Sequence, residues 1–181
     1  MITHNCPLCN STASLFCDKP KHLFYKCNNC EGIFRPKHTF LTAEAEKEHY
    51  EKHNNDVFDK RYQAFVSPIV EAILHDFSPE AKGLDFGSGT GPVIAKMLTD
   101  KGFLVRNYDL FFANEPSLLN QKYNYVSCCE VMEHFHQPYQ EFEVLKSLLL
   151  PKGKLYCKTE VFNHQKPFEN WYYKDDFTHV F

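Results

Sequence analysis

Apolar and polar positions along the chain alternate with two periods, one typical of strands and one typical of helices. The strand-like runs lie at 84–86, 102–108, 123–129 and 154–159, and the helical patterns that separate them lie at 93–98 and 139–149. Short apolar runs in alternation with amphipathic helices are typical of βαβ units. The pattern therefore predicts an α/β fold with a parallel sheet.

The segment 39–81, which precedes this pattern, is predicted to be helical. Thr42 is a suitable N-cap for a helix that begins at Ala43, because acidic side chains fill the first turn. Ser67 and Pro68 favour a new helix start as an N-cap and first-turn pair. Four polar residues between these helices are candidates to reach a ligand site: His49, His53, Asn54 and Asn55.

Cysteine spacing sets the first 38 residues apart. Four of the eight cysteines form two Cys-x-x-Cys pairs separated by 17 residues: Cys6 and Cys9, then Cys27 and Cys30. Two facing turns of this kind supply four thiolates in tetrahedral geometry, which is typical of structural zinc. Because this segment contains few apolar residues, it needs a cross-link such as a bound metal in order to fold. A disulfide framework is the alternative, and no export signal supports it.

Composition and charge narrow the class of protein. Of the 181 residues, 43% are hydrophobic and 15% aromatic, enough for one packed domain with an appendage. No apolar run approaches the ~20 residues of a membrane span, and the first residues lack the apolar core of a signal peptide. These features predict a soluble protein of the cytoplasm with no membrane partner.

The charge of the cysteine module gives only weak support to nucleic-acid binding. Its charged residues are Lys19, Lys21, Lys26, Arg35 and Lys37 against Asp18 and Glu31. Zinc with four thiolates carries about −2, so the loaded module keeps about +1. The net charge of the whole chain is −3. Because nucleic-acid binding requires a strong basic patch, the module is equally suited to be a packing platform or a lid over a small substrate.

Three ordered segments carry the candidate chemistry. The first is Leu84-Asp85-Phe86-Gly87-Ser88-Gly89-Thr90-Gly91, a strand that runs into a glycine-rich turn. The second is Asp109, which ends the next strand 22 residues after Gly87, where an α/β sheet delivers a carboxylate to ribose hydroxyls. The third is Glu130-Val131-Met132-Glu133-His134, directly after the strand-like run 123–129.

Taken in order, these segments resemble the class I S-adenosylmethionine-dependent methyltransferases over residues 82–159. The resemblance implies a Rossmann-like sheet with a cofactor site at its edge. In that site glycines approach the amino-acid part of S-adenosylmethionine, Asp85 orients the loop and Asp109 accepts hydrogen bonds from the ribose hydroxyls. The cofactor-binding residues that it implies are Asp85, Gly87, Ser88, Gly89, Gly91, Asp109, Cys129 and Glu130.

The Glu-x-x-Glu-His spacing is similar to the metal-binding motif of ubiquinone-biosynthesis O-methyltransferases and of small-RNA 2′-O-methyltransferases. That similarity implies a second divalent site for Mg²⁺ or Mn²⁺ at Glu130, Glu133, His134 and His179, with His164 as the alternative last ligand. Many metal-independent relatives share the motif. In that alternative the glutamates order the loop, and His134 is either the base or a packing residue. Either way, the catalytic candidates are His134, Glu130 and Glu133.

The predicted organisation is a zinc ribbon at 1–38, a helical linker or lid at 39–81 and the methyltransferase domain at 82–181. Only 13 residues, 110–122, separate Asp109 from the next strand, so the usual third strand is abbreviated or missing. The usual last strands are also lacking.

O-methylation of a small molecule is the favoured function. A non-catalytic zinc-ribbon module that interacts with a partner, or an NAD-type oxidoreductase, is the alternative. The acceptor and the oligomeric state stay open.

Overall fold

The computed structural model describes residues 4–53, 55–163 and 165–181. The chain divides into two compact units. The ribbon unit comprises the described residues up to Ala43 together with Val131–Phe142 and Thr159–Phe181, and the sheet unit comprises Glu44–Glu130 and Glu143–Lys158. The domain boundaries predicted from the sequence, 1–38, 39–81 and 82–181, stay a prediction.

The ribbon unit is built on a four-stranded antiparallel sheet. Its strands, in both chain order and sheet order, are β1 (His4–Asn5), β2 (Thr12–Lys19), β3 (His22–Cys27) and β4 (Ile33–Phe34). Cys6, Ala13, Cys27 and Phe34 form its small buried core. Further along the chain, the described residues of this unit contain short 3₁₀ turns at Met132–His134, Phe168–Asn170 and Tyr172–Asp175.

The α/β part of the chain forms a four-stranded parallel sheet in the order β6-β5-β7-β8. Its strands are β5 (Lys82–Phe86), β6 (Leu104–Tyr108), β7 (Tyr123–Cys129) and β8 (Leu149–Lys158). The helices of the described residues are α1 (Ala43–Tyr50), α2 (Lys60–Asp76), α3 (Val93–Thr99) and α4 (Pro138–Ser147). None of these helices has the length and apolar character that a membrane crossing requires.

The core of the sheet unit forms where α2 and α3 meet the sheet. Its buried residues are Val66, Ile69, Val70, Ile73, Ala81, Val93, Ile94, Leu98, Phe103 and Tyr125. Because α2 contributes four of them at spacings of three, one and three, one apolar stripe anchors the whole helix to the sheet.

The predicted helix start at Ser67 and Pro68 is wrong. Helix α2 passes through Pro68 without a break, and its N-cap is Asp59, whose carboxylate accepts a hydrogen bond from the Arg61 amide at 2.8 Å. A proline in a helix removes one backbone hydrogen bond. Here the apolar stripe continues in register on both sides of the proline, so burial of that stripe outweighs the lost bond.

The prediction for the interval after β6 is confirmed. Between Asp109 and β7, the described residues contain one isolated bridge, from Asp109 to Ala113, and a 3₁₀ turn at Pro116–Asn120, but no strand of the parallel sheet. Strand β8 starts earlier than predicted, at Leu149. Residues 151–153 form a bulge within this strand, with Lys152 at a φ of +67°.

Candidate functional site

The glycine-rich turn and the end of β6 lie at the same edge of the parallel sheet. Strand β5 pairs with β6 so that Phe86 lies opposite Tyr108, which brings the residues that follow them together. The amides of Gly87 and Ser88 donate to the Tyr108 carbonyl at 2.8 and 3.2 Å. The turn is therefore held by the neighbouring strand.

Asp109 anchors this turn. Its Oδ2 accepts a hydrogen bond from the Gly89 amide at 2.9 Å, and its Oδ1 accepts from the amides of Phe111 and Phe112 at 2.9 and 3.1 Å. A carboxylate has about four acceptor positions, so about one remains for a ligand. The predicted contact of Asp109 with a ribose stays a prediction, and the carboxylate also has this structural role.

Asp85 lies under the turn and is only 4% exposed. Burial raises the pKa of its carboxyl to about 6, and the Ser127 hydroxyl, which donates to Oδ1 at 2.7 Å, partly offsets that rise. The Ser88 hydroxyl is buried and has no hydrogen-bond partner within the described residues. A polar ligand group at this edge would give it one, so the turn fits a cofactor with polar substituents.

Two residues that precede the sheet complete this edge. A Cβ atom on Gly91 would lie 1.6 Å from the Asn55 carbonyl oxygen, so the connection between α1 and α2 packs directly on the turn. Tyr62 of α2 is partly buried, which raises its pKa to about 12, and nearby Cys129, Asp85 and Glu130 add to the rise. Helical periodicity alone could not place Tyr62 here. Asn54 lies outside the described residues.

Glu130 follows β7 in a left-handed backbone conformation, with a φ of +53°. Its amide donates to the Lys158 carbonyl at 2.7 Å, and its carboxylate lies 4.0 Å from the Lys158 ammonium. The parallel pairing of β5 with β7 brings Cys129 and Glu130 to the same edge as the glycine-rich turn. The structure therefore brings together all eight residues that were predicted to bind the cofactor.

In the ribbon unit, the four predicted zinc ligands converge. Cys6 and Cys30 have their sulfur atoms 3.6 Å apart, and Cys9 and Cys27 have theirs 3.4 Å apart. Four sulfurs at about 2.3 Å from a zinc ion would be about 3.8 Å from one another, whereas a disulfide requires about 2.05 Å. The amides of Asn29 and Cys30 both donate to the Cys27 sulfur at 3.4 Å. The donor set and its spacing fit zinc.

A second group of ligand-type side chains lies in the same unit. Suitable atoms of Glu133, His134 and His179 all lie within 4.8 Å of one another. Glu133 is 4% exposed. Its Oε1 accepts from the Tyr173 hydroxyl, and its Oε2 is buried without a partner in the described chain. Both histidines donate from Nδ1 to a backbone carbonyl, His134 to Thr178 at 3.0 Å and His179 to Tyr173 at 2.7 Å. Their Nε2 atoms are therefore the ones that can bind a metal.

A family model described as "Methyltransferase domain" matches residues 58–181. The chain belongs to this family. No curated protein matches it. Among solved structures it is similar to the PH0226 protein from Pyrococcus horikoshii OT3, with 19% sequence identity and a TM-score of 0.45 over 61% of this chain. The chain spans 64% of that protein's length.

The predicted fold class is confirmed. The family model and the parallel sheet agree with a class I methyltransferase sheet, and the four clustered cysteines agree with a small N-terminal cysteine module. The Glu-His-His group differs from the predicted second metal site in its membership. Glu130 is not part of the group that the described residues form, so ligation by Glu130 stays a prediction. His164 lies outside the described residues. One carboxylate with two imidazoles suits Mn²⁺ or a later transition metal better than Mg²⁺.

Sequence reasoning missed the role of Arg35, which it counted among the surface cations of the cysteine module. Arg35 is only 3% exposed. Its guanidinium donates to three backbone carbonyls: Lys21 at 3.1 Å, Lys174 at 2.9 Å and His179 at 3.1 Å. It also lies over the Phe24 ring at 4.5 Å. Arg35 therefore holds the segment that carries His179, and it cannot be part of a nucleic-acid surface.

Proposed function

We propose that this protein is an S-adenosylmethionine-dependent methyltransferase that methylates a hydroxyl group of a small molecule. Family membership supports methyl transfer in general. The clamp between Asp109 and the Gly89 amide, beside the unpartnered Ser88 hydroxyl, supports a nucleoside-type cofactor at the sheet edge.

The buried Glu133 carboxylate is the observation that favours oxygen as the acceptor atom. When bound, S-adenosylmethionine supplies an activated methyl group; a carbon–oxygen bond forms, the sulfur–carbon bond breaks and the hydroxyl proton is released. One ligand-type atom each of Glu133, His134 and His179 lies within 4.8 Å of the others, and Glu133 Oε2 has no partner in the described residues, so these side chains form a cluster of proton acceptors. They can accept that proton, and His134 is the base candidate when no metal is bound.

We further propose that this group binds a divalent ion, Mn²⁺ in preference to Mg²⁺, and that Cys6, Cys9, Cys27 and Cys30 bind a structural zinc. A divalent ion at Glu133, His134 and His179 would lower the pKa of an acceptor hydroxyl. The four cysteine positions leave no open coordination site on zinc, so the zinc has no part in the chemistry.

A small-molecule acceptor is favoured over nucleic acid. Burial of Arg35 removes one of the five cations counted in the ribbon, which leaves the zinc-loaded module close to neutral. A near-neutral surface gives little of the electrostatic affinity on which nucleic-acid binding depends. The cytoplasmic location stays a prediction.

The cofactor class is tested by calorimetry on one preparation with S-adenosylhomocysteine, S-adenosylmethionine and NAD. Both sulfur nucleosides are expected to bind, and NAD is not. Asp109→Asn should weaken S-adenosylhomocysteine by about 1.5–3 kcal/mol, because it removes a charged acceptor from both the turn and the ligand. Asp100→Asn, on the exposed end of α3, is the matched control. Binding of NAD alone, or unchanged affinity in Asp109→Asn, would refute the cofactor assignment.

A further inference from the structure

The ribbon unit contains a cavity of about 400 Å³ whose walls are mostly apolar. Its aromatic lining consists of Phe24, Phe142, Phe162, Trp171, Tyr173 and Phe181. The volume lies within the range of about 300–1,000 Å³ that is usual for small-molecule sites. Phe24 and Ile33 come from β3 and β4, so the cysteine module supplies one wall of this cavity.

The polar part of the wall offers hydrogen-bond acceptors. Glu133 and His179 both line the cavity, and Glu133 Oε2 is buried without a partner in the described residues. His179 uses Nδ1 to donate to the Tyr173 carbonyl, so Nε2 carries the lone pair. Two adjacent acceptors require an occupant that donates hydrogen bonds, such as a hydroxyl group.

The charges of the wall disfavour an anionic occupant. Two lysines and three glutamates line the cavity: Lys26, Lys174, Glu31, Glu133 and Glu160. Each lysine already has a carboxylate partner, Lys26 with Glu31 at 3.8 Å and Lys174 with Asp175 at 2.7 Å. A phosphate or carboxylate on the occupant would therefore meet an excess of negative charge.

The apolar lining also disfavours a sugar. A sugar carries several hydroxyls, and each one that is buried without a partner costs about 1–3 kcal/mol. The adjacent acceptors Glu133 and His179 satisfy one or two of them, and the six aromatic side chains of the wall present mainly apolar surface to the rest. Flat aromatic rings, in contrast, pack well edge to face against aromatic walls.

We propose that this cavity is the acceptor site and that the acceptor is an uncharged aromatic compound with one hydroxyl or two adjacent hydroxyls. The inference rests on the proposed function and names its substrate class.

Trp171 is the single tryptophan of the chain and lines the cavity, so its fluorescence reports occupancy. The zinc-loaded chain of residues 1–181 is titrated, without added divalent ions, with catechol, 1,2-dimethoxybenzene, 3,4-dihydroxybenzoate and methyl glucoside. Catechol should quench the fluorescence saturably. Dimethoxybenzene and dihydroxybenzoate should bind at least about tenfold more weakly, because one lacks donors and the other is anionic. The glucoside should give no saturable change.

Glu133→Gln should weaken the binding of catechol about tenfold and leave the binding of dimethoxybenzene unchanged, because only catechol donates a hydrogen bond to the carboxylate. Glu169→Gln, an exposed charge-matched change outside the cavity wall, should alter neither. The comparison of the four probes on wild type needs no variant, so misfolding of Glu133→Gln leaves the test intact. Absence of saturable quenching by catechol, or equal binding of the glucoside or the benzoate, would overturn the proposal. Calorimetry with S-adenosylhomocysteine on the same sample shows separately whether the methyltransferase function stands.

Discussion

Replacing Arg35 by leucine should destabilise the ribbon unit more than any other change of a single cation. The buried guanidinium donates to the carbonyls of Lys21, Lys174 and His179. A hydrogen bond from a charged group contributes about 1.5–3 kcal/mol, but three bonds from one group are not additive, because freed carbonyls rehydrate in part. We expect Arg35→Leu to lower the free energy of unfolding by about 3–5 kcal/mol.

Trp171 fluorescence during urea denaturation measures this change within the ribbon unit. The indole ring has Phe162, Phe168 and Tyr173 as neighbours at centroid distances of 5.4, 5.8 and 5.3 Å, so its emission responds to loss of this packing. Arg35→Lys keeps the charge but not the planar guanidinium group with its several donors. We expect this change to lower the free energy of unfolding by about 2 kcal/mol. The midpoint of unfolding should shift with little change in its slope.

Arg61→Leu is the matched control, because the Arg61 side chain is 93% exposed and forms an ion pair with the Asp59 cap at 3.1 Å. This control should lower the free energy of unfolding by less than about 0.5 kcal/mol. A loss below about 1 kcal/mol in Arg35→Leu would refute the reasoning, since the three carbonyls would then not depend on the guanidinium. Equal losses in the leucine and lysine variants would show that packing over Phe24, rather than hydrogen bonding, is the main contribution.

Three further predictions concern the metals and one buried acid. Metal analysis should find about one zinc per chain, and Cys27→Ser should release it and make the ribbon unit sensitive to protease. Mn²⁺ titration followed by electron paramagnetic resonance should detect one site in wild type that is lost in Glu133→Gln. Because burial raises the pKa of Asp85 to about 6 from 3.8, the folded state holds its proton more tightly than the unfolded state. The free energy of unfolding should therefore fall by about 2–3 kcal/mol as the pH rises between those values, and Asp85→Asn should lack this fall.

Each of these predictions has a contrary outcome. Zinc that remains in Cys27→Ser at the wild-type level would show that the metal is bound elsewhere. Equal Mn²⁺ binding by wild type and Glu133→Gln, or none by wild type, would remove the second metal site. An unchanged pH dependence in Asp85→Asn would show that another group titrates in this range; Asp100→Asn, at an exposed position, controls for the loss of an acid.

Local sequence patterns were sufficient for much of the fold. The strand, glycine-rich turn and helix at 82–99 could be predicted because apolar periodicity and glycine position are properties of neighbouring residues. The two Cys-x-x-Cys turns were predictable for the same reason. The missing third strand followed from chain length alone, since 13 residues cannot hold a helix and a strand. The helix start predicted at Pro68 was wrong for a different reason. The apolar stripe that holds α2 together is buried by tertiary contacts, which local sequence patterns do not show.

Only the tertiary structure decided the roles of the residues that act over long separations. Arg35 donates to carbonyls 139 and 144 residues away, and no local pattern distinguishes it from the surface lysines around it. Glu133 and His179 are 46 positions apart in the sequence, so motif resemblance could nominate His179 or His164 but not choose between them. Asp109 was placed at the correct edge from its spacing. Its hold on the Gly89 amide became visible only in three dimensions, because hydrogen bonding between two loops depends on how the strands before them pair.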